Sequence, residues 1–479
     1  MLGGLLTSAL FLATASAANN KNQLPDIGAA GGSVLSIDKE RLIGQAMMKQ
    51  LRATSPLIND PVLNEYINDL GNQLVKNAQD VHYSFEFFLI KNQELNAFAF
   101  FGGHVGIHSG LLTTADTESE LASVIAHEIS HVTQRHLARK LESQSNAQPL
   151  ALAGIVSGVL LSLVNPTVGM AALMGSMALS QQASINYTRS NEKEADRVGI
   201  ALLSYSGFDP QGAPDFFGKM SEKYRYKSTP PPMLLTHPIP ASRITDARQR
   251  AHSFPKRTLA PKLSFELAKA RIIARYQNDP SYNIRFYQKK LRNKNYAIKE
   301  AAQYGLAVAL LENKKYSEAQ QVLEPLFSLD KNNLFYADVL SDIYLGLKDF
   351  DTAINMLEQL NALMPNNQVV TLNYANVLMS DKKLDESASL LQDFLLTQPK
   401  NVIVYDLLTN IYKQQKKPAL MHSTKAEMYA LLGAYQKSID ELHTAYNFTK
   451  ESPIIRRRIK ARILQIQAQE DKLKRLAGK

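Results

Sequence analysis

TESELASVIAHEISH, residues 117–131, decides how the first half of the chain is read. Thr117 followed three residues later by Glu120 is a capping-box pattern, so a helix is predicted to begin at about Glu118 and to end in the polar stretch after Leu141. At about 100° per residue, His127 and His131 stand about 40° apart and one turn apart, and both imidazoles can reach one ion. Glu128 is displaced by one residue, which makes it a candidate base acting on water at that ion. His136 falls on the opposite side of the same wheel and is expected not to be a ligand. The bland alternative, two histidines on an amphipathic helix, stands until a third ligand is found.

A catalytic zinc takes three protein ligands and keeps one open position. Leu137 excludes the pattern with a further histidine six residues after the second. Further on, NEKEADRVG (191–199) offers Asn191 as an N-cap with Glu194 three residues later, and Gly207 as a stop. A helix is therefore predicted from Glu192 to about Ser206. Glu192 and Asp196 share a face that Gly199 continues without a side chain, so another helix can approach closely. We infer Glu192 as the third ligand and Asp196 as a carboxylate that orients a ligand imidazole. On spacing alone, Glu194 competes for the metal.

With 479 residues, 45% of them apolar, the chain is long enough for two or more cores. It has no cysteine, which excludes disulfides and thiolate chemistry and leaves His, Asp and Glu as the strong metal ligands. The net charge is +10, and the tail from Glu451 is rich in Lys and Arg. That tail is read as a solvated helical face rather than a surface for nucleic acid or anionic lipid. The apolar stretch Leu5 to Ala13, followed by Ala15-Ser16-Ala17, is read as a secretory signal over residues 1–17, although no basic residue precedes it. An uncharged stretch, 150–182, is divided by Asn165-Pro166 and is read as a buried or membrane-surface helical hairpin.

The chain divides near residue 255. Residues 18–255 read as an α+β domain, with helical periodicity in 38–51 and 62–77, a strand in 81–90 and two short strands around a Gly-Gly turn in 96–112. Residues 256–479 carry a repeat: Tyr316, Phe350 and Leu384 recur at a step of about 34 residues, as do Leu323, Leu357 and Leu391. Pro365 and Pro399 close two of the copies, Lys331 stands where the first would have proline, and the fourth is irregular around QQKKPALM. The repeat resembles the tetratricopeptide repeat, whose paired helices stack into an α-solenoid with a concave face for proteins or peptides. The fold class expected is mainly α.

HEISH followed by NEKEADRVG resembles the zinc metallopeptidases related to the CaaX prenyl protease, a zincin-like fold. The resemblance implies one zinc ion per chain held by His127, His131 and Glu192, with Glu128 as catalytic acid/base and Asp196 as a catalytic auxiliary. A proline-flanked histidine of that family is matched by His237 in LLTHPIPASRI (234–244), where it either fills the open position and keeps the enzyme latent, donates to the developing oxyanion, or merely packs. The implied reaction is hydrolysis of a peptide bond, with the substrate expected along Gly102 to Ile107. The order of signal segment, peptidase and repeats is similar to periplasmic members of the family. It implies unfolded or misassembled outer-membrane proteins as clients, repeats that dock clients or the assembly machinery, peripheral membrane contact, and no nucleic acid. The rival is a non-catalytic adaptor or chaperone whose metal domain is vestigial.

Overall fold

The computed structural model describes residues 35–145, 189–226 and 230–476. The signal segment and the uncharged stretch 150–182 lie outside the described residues. Helices α1 (Ile37–Thr54) and α2 (Pro61–Val75) lead into strands β1 (Glu86–Ile90), β2 (Ala97–Phe100) and β3 (His104–His108). Asp60 caps α2 by accepting from the Leu63 backbone N–H at 3.3 Å, and Pro61 opens the helix where its missing N–H has no bond to lose.

The sheet has the order β1-β3-β2, with β3 parallel to β1 and antiparallel to β2. Gly102 and Gly103 make the β2–β3 turn at φ +80° and +83°, a region in which a Cβ would be strained. The outer side of β1 is covered, since Ile58 N–H donates to Leu89 O and Lys91 N–H to Pro56 O, both at 2.9 Å. The outer side of β2 has no paired strand among the described residues. This corrects the expected substrate track along Gly102 to Ile107: β3 is central, and both of its edges are already bonded.

After α3 (Ser109–Thr114), the central helix α4 (Glu118–Thr133) is buried on every side. Thr117 Oγ1 accepts from the Glu120 backbone N–H at 3.2 Å, and Glu120 reaches back to accept from Asp116 N–H at 2.8 Å. The helix does not run to Leu141. It breaks at Arg135, whose φ is +50°, and α5 (His136–Ser145) starts anew. Arg135 is held in that conformation by its own side chain, which donates to Glu40 and, at 2.6 Å, to Leu35 O. Next come α6 (Arg189–Tyr205), α7 (Gly212–Tyr224), α8 (Pro232–Thr236), α9 (Ala241–His252) and α10 (Leu263–Arg271).

From Pro280 to Leu476 the described chain is a succession of antiparallel helices. Lys314, Lys348, Lys382 and Lys416, one repeat apart, each take a left-handed conformation at φ 58°, 61°, 65° and 56°. The next residue in each case donates its N–H back into the preceding helix at 2.9 Å: Lys315 to Leu310, Asp349 to Tyr344, Lys383 to Leu378 and Lys417 to Tyr412. This bond ends one helix and aims the chain into the next, and it offsets the cost of about 1 kcal/mol for a non-glycine residue there. The irregular fourth copy therefore keeps the same turn. Ala319, Leu323, Ala353, Leu357 and Leu391 fill the gaps between helices and are buried.

One apolar core runs from Ile58 through α4 to Val377, across the region of residue 255. Buried charges reinforce the join. Arg271, 1% exposed, pairs through Nε with Asp60 Oδ2 and through Nη2 with Asp338 Oδ2, each at 2.6 Å. Asp60 thus caps α2 and holds the helix Leu334–Leu347 through the same guanidinium.

Candidate metal centre

The residues singled out in the sequence come from three separate parts of the fold. His127 and His131 lie on α4, Glu192 and Asp196 on α6, and His237 at the C-terminus of α8. Helix α6 begins at Arg189, so Asn191 is inside its first turn rather than capping it; its side chain accepts from Arg139 at 3.4 Å. Gly207 stops the helix at φ +91°. Gly199 sets the spacing of α4 and α6, since a Cβ there would stand 3.2 Å from the backbone N and Cα of His127. Helix α8 ends at His237 because Pro238 has no N–H to continue it, and His237 N–H donates to Met233 O at 2.7 Å.

His127, His131, Glu192 and His237 offer donor atoms that all lie within 4.8 Å of one another, and all four residues are buried. His131 Nε2 is 3.0 Å from His127 Nε2, which is 3.4 Å from His237 Nδ1. Glu192 Oε1 lies 2.9 Å from His237 Nδ1 and 3.4 Å from His131 Nε2. Donors held at about 2.0–2.1 Å from one ion in a tetrahedron stand about 3.3 Å apart, so this set fits a small divalent cation.

The charges around the group favour that fit. Burial would push the Glu192 carboxyl up, but His127, His131 and His237 around it hold it far below the usual carboxylate range. Burial likewise presses His127 down, and Asp196 and Glu192 overcome it, holding the imidazole at about 10, so these carboxylates draw a cation to the cluster and a bound metal would displace the proton on Nε2. Asp196 Oδ1 is 3.0 Å from His127 Nδ1, off the ring's N–H direction. It favours the proton on Nδ1 and leaves Nε2 to face the cluster. Burial drives His131 well below its ordinary value, which keeps it a neutral donor. Glu128 is fully buried and, among the described residues, neither of its oxygens has a hydrogen-bond partner; Oε1 lies 3.6 Å from His237 Nε2. A buried carboxylate without a donor is expensive unless a ligand or reactant completes it.

Two neighbours escaped the sequence reading. His136 was expected to point away, but the break at Arg135 takes it off the α4 wheel and sets its Nδ1 2.7 Å from His131 Nδ1. Its Nε2 is 3.2 Å from Glu194 Oε2, which also accepts from Arg139 at 3.0 Å. Burial lowers His136 to about 4, so it stays neutral beside His131. Glu194 is engaged there and is not among the four clustered donors. Arg243 on α9 is 4% exposed and forks onto Asp196, Nε to Oδ2 and Nη2 to Oδ1 at 2.7 Å each. Its only sequence signal is its position six residues after His237.

Comparison with known proteins places this geometry. The model of Peptidase family M48 matches residues 61–251, and a tetratricopeptide-repeat model matches residues 344–411. The putative beta-barrel assembly-enhancing protease of Vibrio cholerae serotype O1 is 47% identical over 328 residues, 68% of each chain. The beta-barrel assembly-enhancing protease of Yersinia pestis is 45% identical over 331 residues, 69% of this chain and 68% of its own. That of Escherichia coli (strain K12) is 44% identical over 337 residues, 70% and 69% respectively. The family implies a metal cofactor, and the buried His/Glu group is a site that fits one. With its repeats and these relatives, the chain belongs to peptidase family M48 and is a metalloprotease.

Proposed function

We propose that the chain is a zinc endopeptidase of the bacterial periplasm that cleaves unfolded or misassembled outer-membrane proteins and assists their assembly. The observation that carries the chemistry is the buried meeting of His127, His131 and Glu192 beside a Glu128 carboxyl with no hydrogen-bond partner among the described residues. The relatives' names support the client class, and the apolar Leu5 to Ala13 stretch with Ala15-Ser16-Ala17 supports export.

His127, His131 and Glu192 would hold the ion. Zinc is the metal that a set of two imidazoles and one carboxylate suits, and when bound it polarises the scissile carbonyl and acidifies the attacking water. Glu128 takes the proton from that water and passes it to the leaving amine nitrogen. Asp196 steadies His127 from behind. An extended substrate adds to the edge of β2 that has no paired strand among the described residues. Asn96 O accepts from His108 N–H at 3.0 Å, so Asn96 faces β3, and by alternation the peptide groups of Ala97 and Ala99 face outward.

His237 is read as the group that fills the open position. Its Nδ1 lies within the donor cluster, which favours the latent state over an oxyanion donor standing off the metal. Catalysis then requires the segment after α8 to withdraw. The repeats are read as the docking surface for clients or the assembly machinery. A vestigial domain serving an adaptor has no need of a buried Glu128 without a hydrogen-bond partner among the described residues.

The test is cleavage of an unfolded outer-membrane protein by wild type and Glu128→Gln, with and without chelator. Zinc-restorable cleavage in wild type alone, with a drop of about 100-fold or more in the variant, supports the reading. Equal cleavage by both proteins overturns it.

A further inference from the structure

Arg243 touches more of the site than a residue that only balances charge. Besides the fork onto Asp196, its Nη1 donates to the carbonyl of Pro238 at 2.7 Å and stands 2.7 Å from Glu192 Oε2. The guanidinium lies over the Phe217 ring, 5.2 Å from its centroid, which fixes its plane. One rigid fork therefore joins a metal-ligand candidate, the carboxylate behind His127 and the backbone of the residue next to His237. Neither an ammonium nor an amide spans these acceptors together.

We propose that Arg243 is the positioning residue that holds His237 in the donor cluster, through its bond to the Pro238 carbonyl. This rests on the reading of His237 as the group in the open position and deepens it. The bond to Pro238 is the one contact of the fork that must break when the His237 segment withdraws, whereas the fork on Asp196 can persist. Arg243 would then set the balance between the closed and open states without touching substrate. Losing one hydrogen bond from a charged donor should lower the closed-to-open ratio by about 10-fold or more.

Cobalt(II) loaded into the full chain reads that balance directly, because its visible absorption weakens when a fourth protein donor is replaced by solvent. Wild type, Arg243→Lys, His237→Ala and the double variant are compared, each also checked for fold by circular dichroism. Arg243→Lys is expected to move the cobalt spectrum toward that of His237→Ala and to raise cleavage, and to change neither in the His237→Ala background. Phe217→Leu, which removes the ring under the guanidinium and leaves every polar contact, should shift the spectrum in the same direction by less, and it serves if Arg243→Lys does not fold.

A wild-type spectrum in Arg243→Lys and Phe217→Leu, with His237→Ala changed, overturns the role of Arg243 alone. An equal effect of Arg243→Lys with and without His237 also overturns it, since the arginine then acts on Glu192 and Asp196 and not on the segment. An unchanged spectrum in His237→Ala overturns the reading of His237 and the proposal with it.

Discussion

Asp196 Oδ1 lies 3.0 Å from Nδ1 of His127, behind the imidazole whose Nε2 faces His131, Glu192 and His237. The carboxylate touches none of the clustered donors' open side, so its influence passes through the ring. Asp196→Asn keeps the shape and loses the charge. Metal affinity should fall by about 10- to 100-fold, measured by competition with a chelating dye. Unchanged affinity would remove Asp196 from the site.

His237 distinguishes two uses of one side chain. If it occupies the open position, His237→Ala should raise cleavage of an unfolded protein by about 10-fold, because the closed population no longer withholds enzyme. Loss of cleavage would assign it instead to the oxyanion. Initial rates at saturating zinc separate the two.

The outward N–H of Ala99 gives a test of substrate alignment. Proline at an edge position whose N–H is not in the ladder removes one intermolecular bond and spares the sheet. Ala99→Pro should raise KM by about 10-fold, the value of roughly one hydrogen bond, with little change in thermal stability. A normal KM would move the substrate away from β2.

Acid should loosen the join between the peptidase region and the repeats. Burial raises the Asp60 carboxyl, but Arg271 and Arg275 more than reverse this and hold it below its ordinary value. A depressed folded pKa gives stability that is present above the ordinary aspartate value of about 3.9 and lost as pH falls through the folded one. Asp60→Asn keeps the cap of α2 but leaves Arg271 with Asp338 as its one close carboxylate among the described residues, beside the Tyr304 hydroxyl. It should cost about 2 kcal/mol or more at pH 7 and flatten the acid limb of the stability curve, read by denaturant unfolding at several pH values. A variant that keeps the wild-type acid limb would show that Asp60 is not the linked group.

Much of the site was legible because its grammar is local. The four-residue step of His127 and His131 and that of Glu192 and Asp196 are properties of a helix, and any α-helix puts such pairs on one face. The 34-residue recurrence was legible for a similar reason: each repeat reuses one turn, down to the left-handed lysines 314, 348, 382 and 416. His136 stays outside the four clustered donors, as expected, but it lies beside His131 rather than on the far side of α4, because the wheel assumes an unbroken helix. The break at Arg135 is made by Glu40 and Leu35 O, which lie far away in sequence.

By itself, then, the sequence determined which residues could bind a metal, on which helices they ride, and that a helical array follows them, since each of these follows from periodicity and short-range backbone chemistry. Only the tertiary structure decided that His237 reaches the donors of α4 and α6, that Arg243 ties its segment to Glu192 and Asp196, that β2 rather than β3 has an edge with no paired strand among the described residues, and that Arg271 joins α2 to the repeats. Those are meetings between distant segments. They depend on how whole helices pack and where buried charges find partners, and no spacing along the chain encodes that outcome.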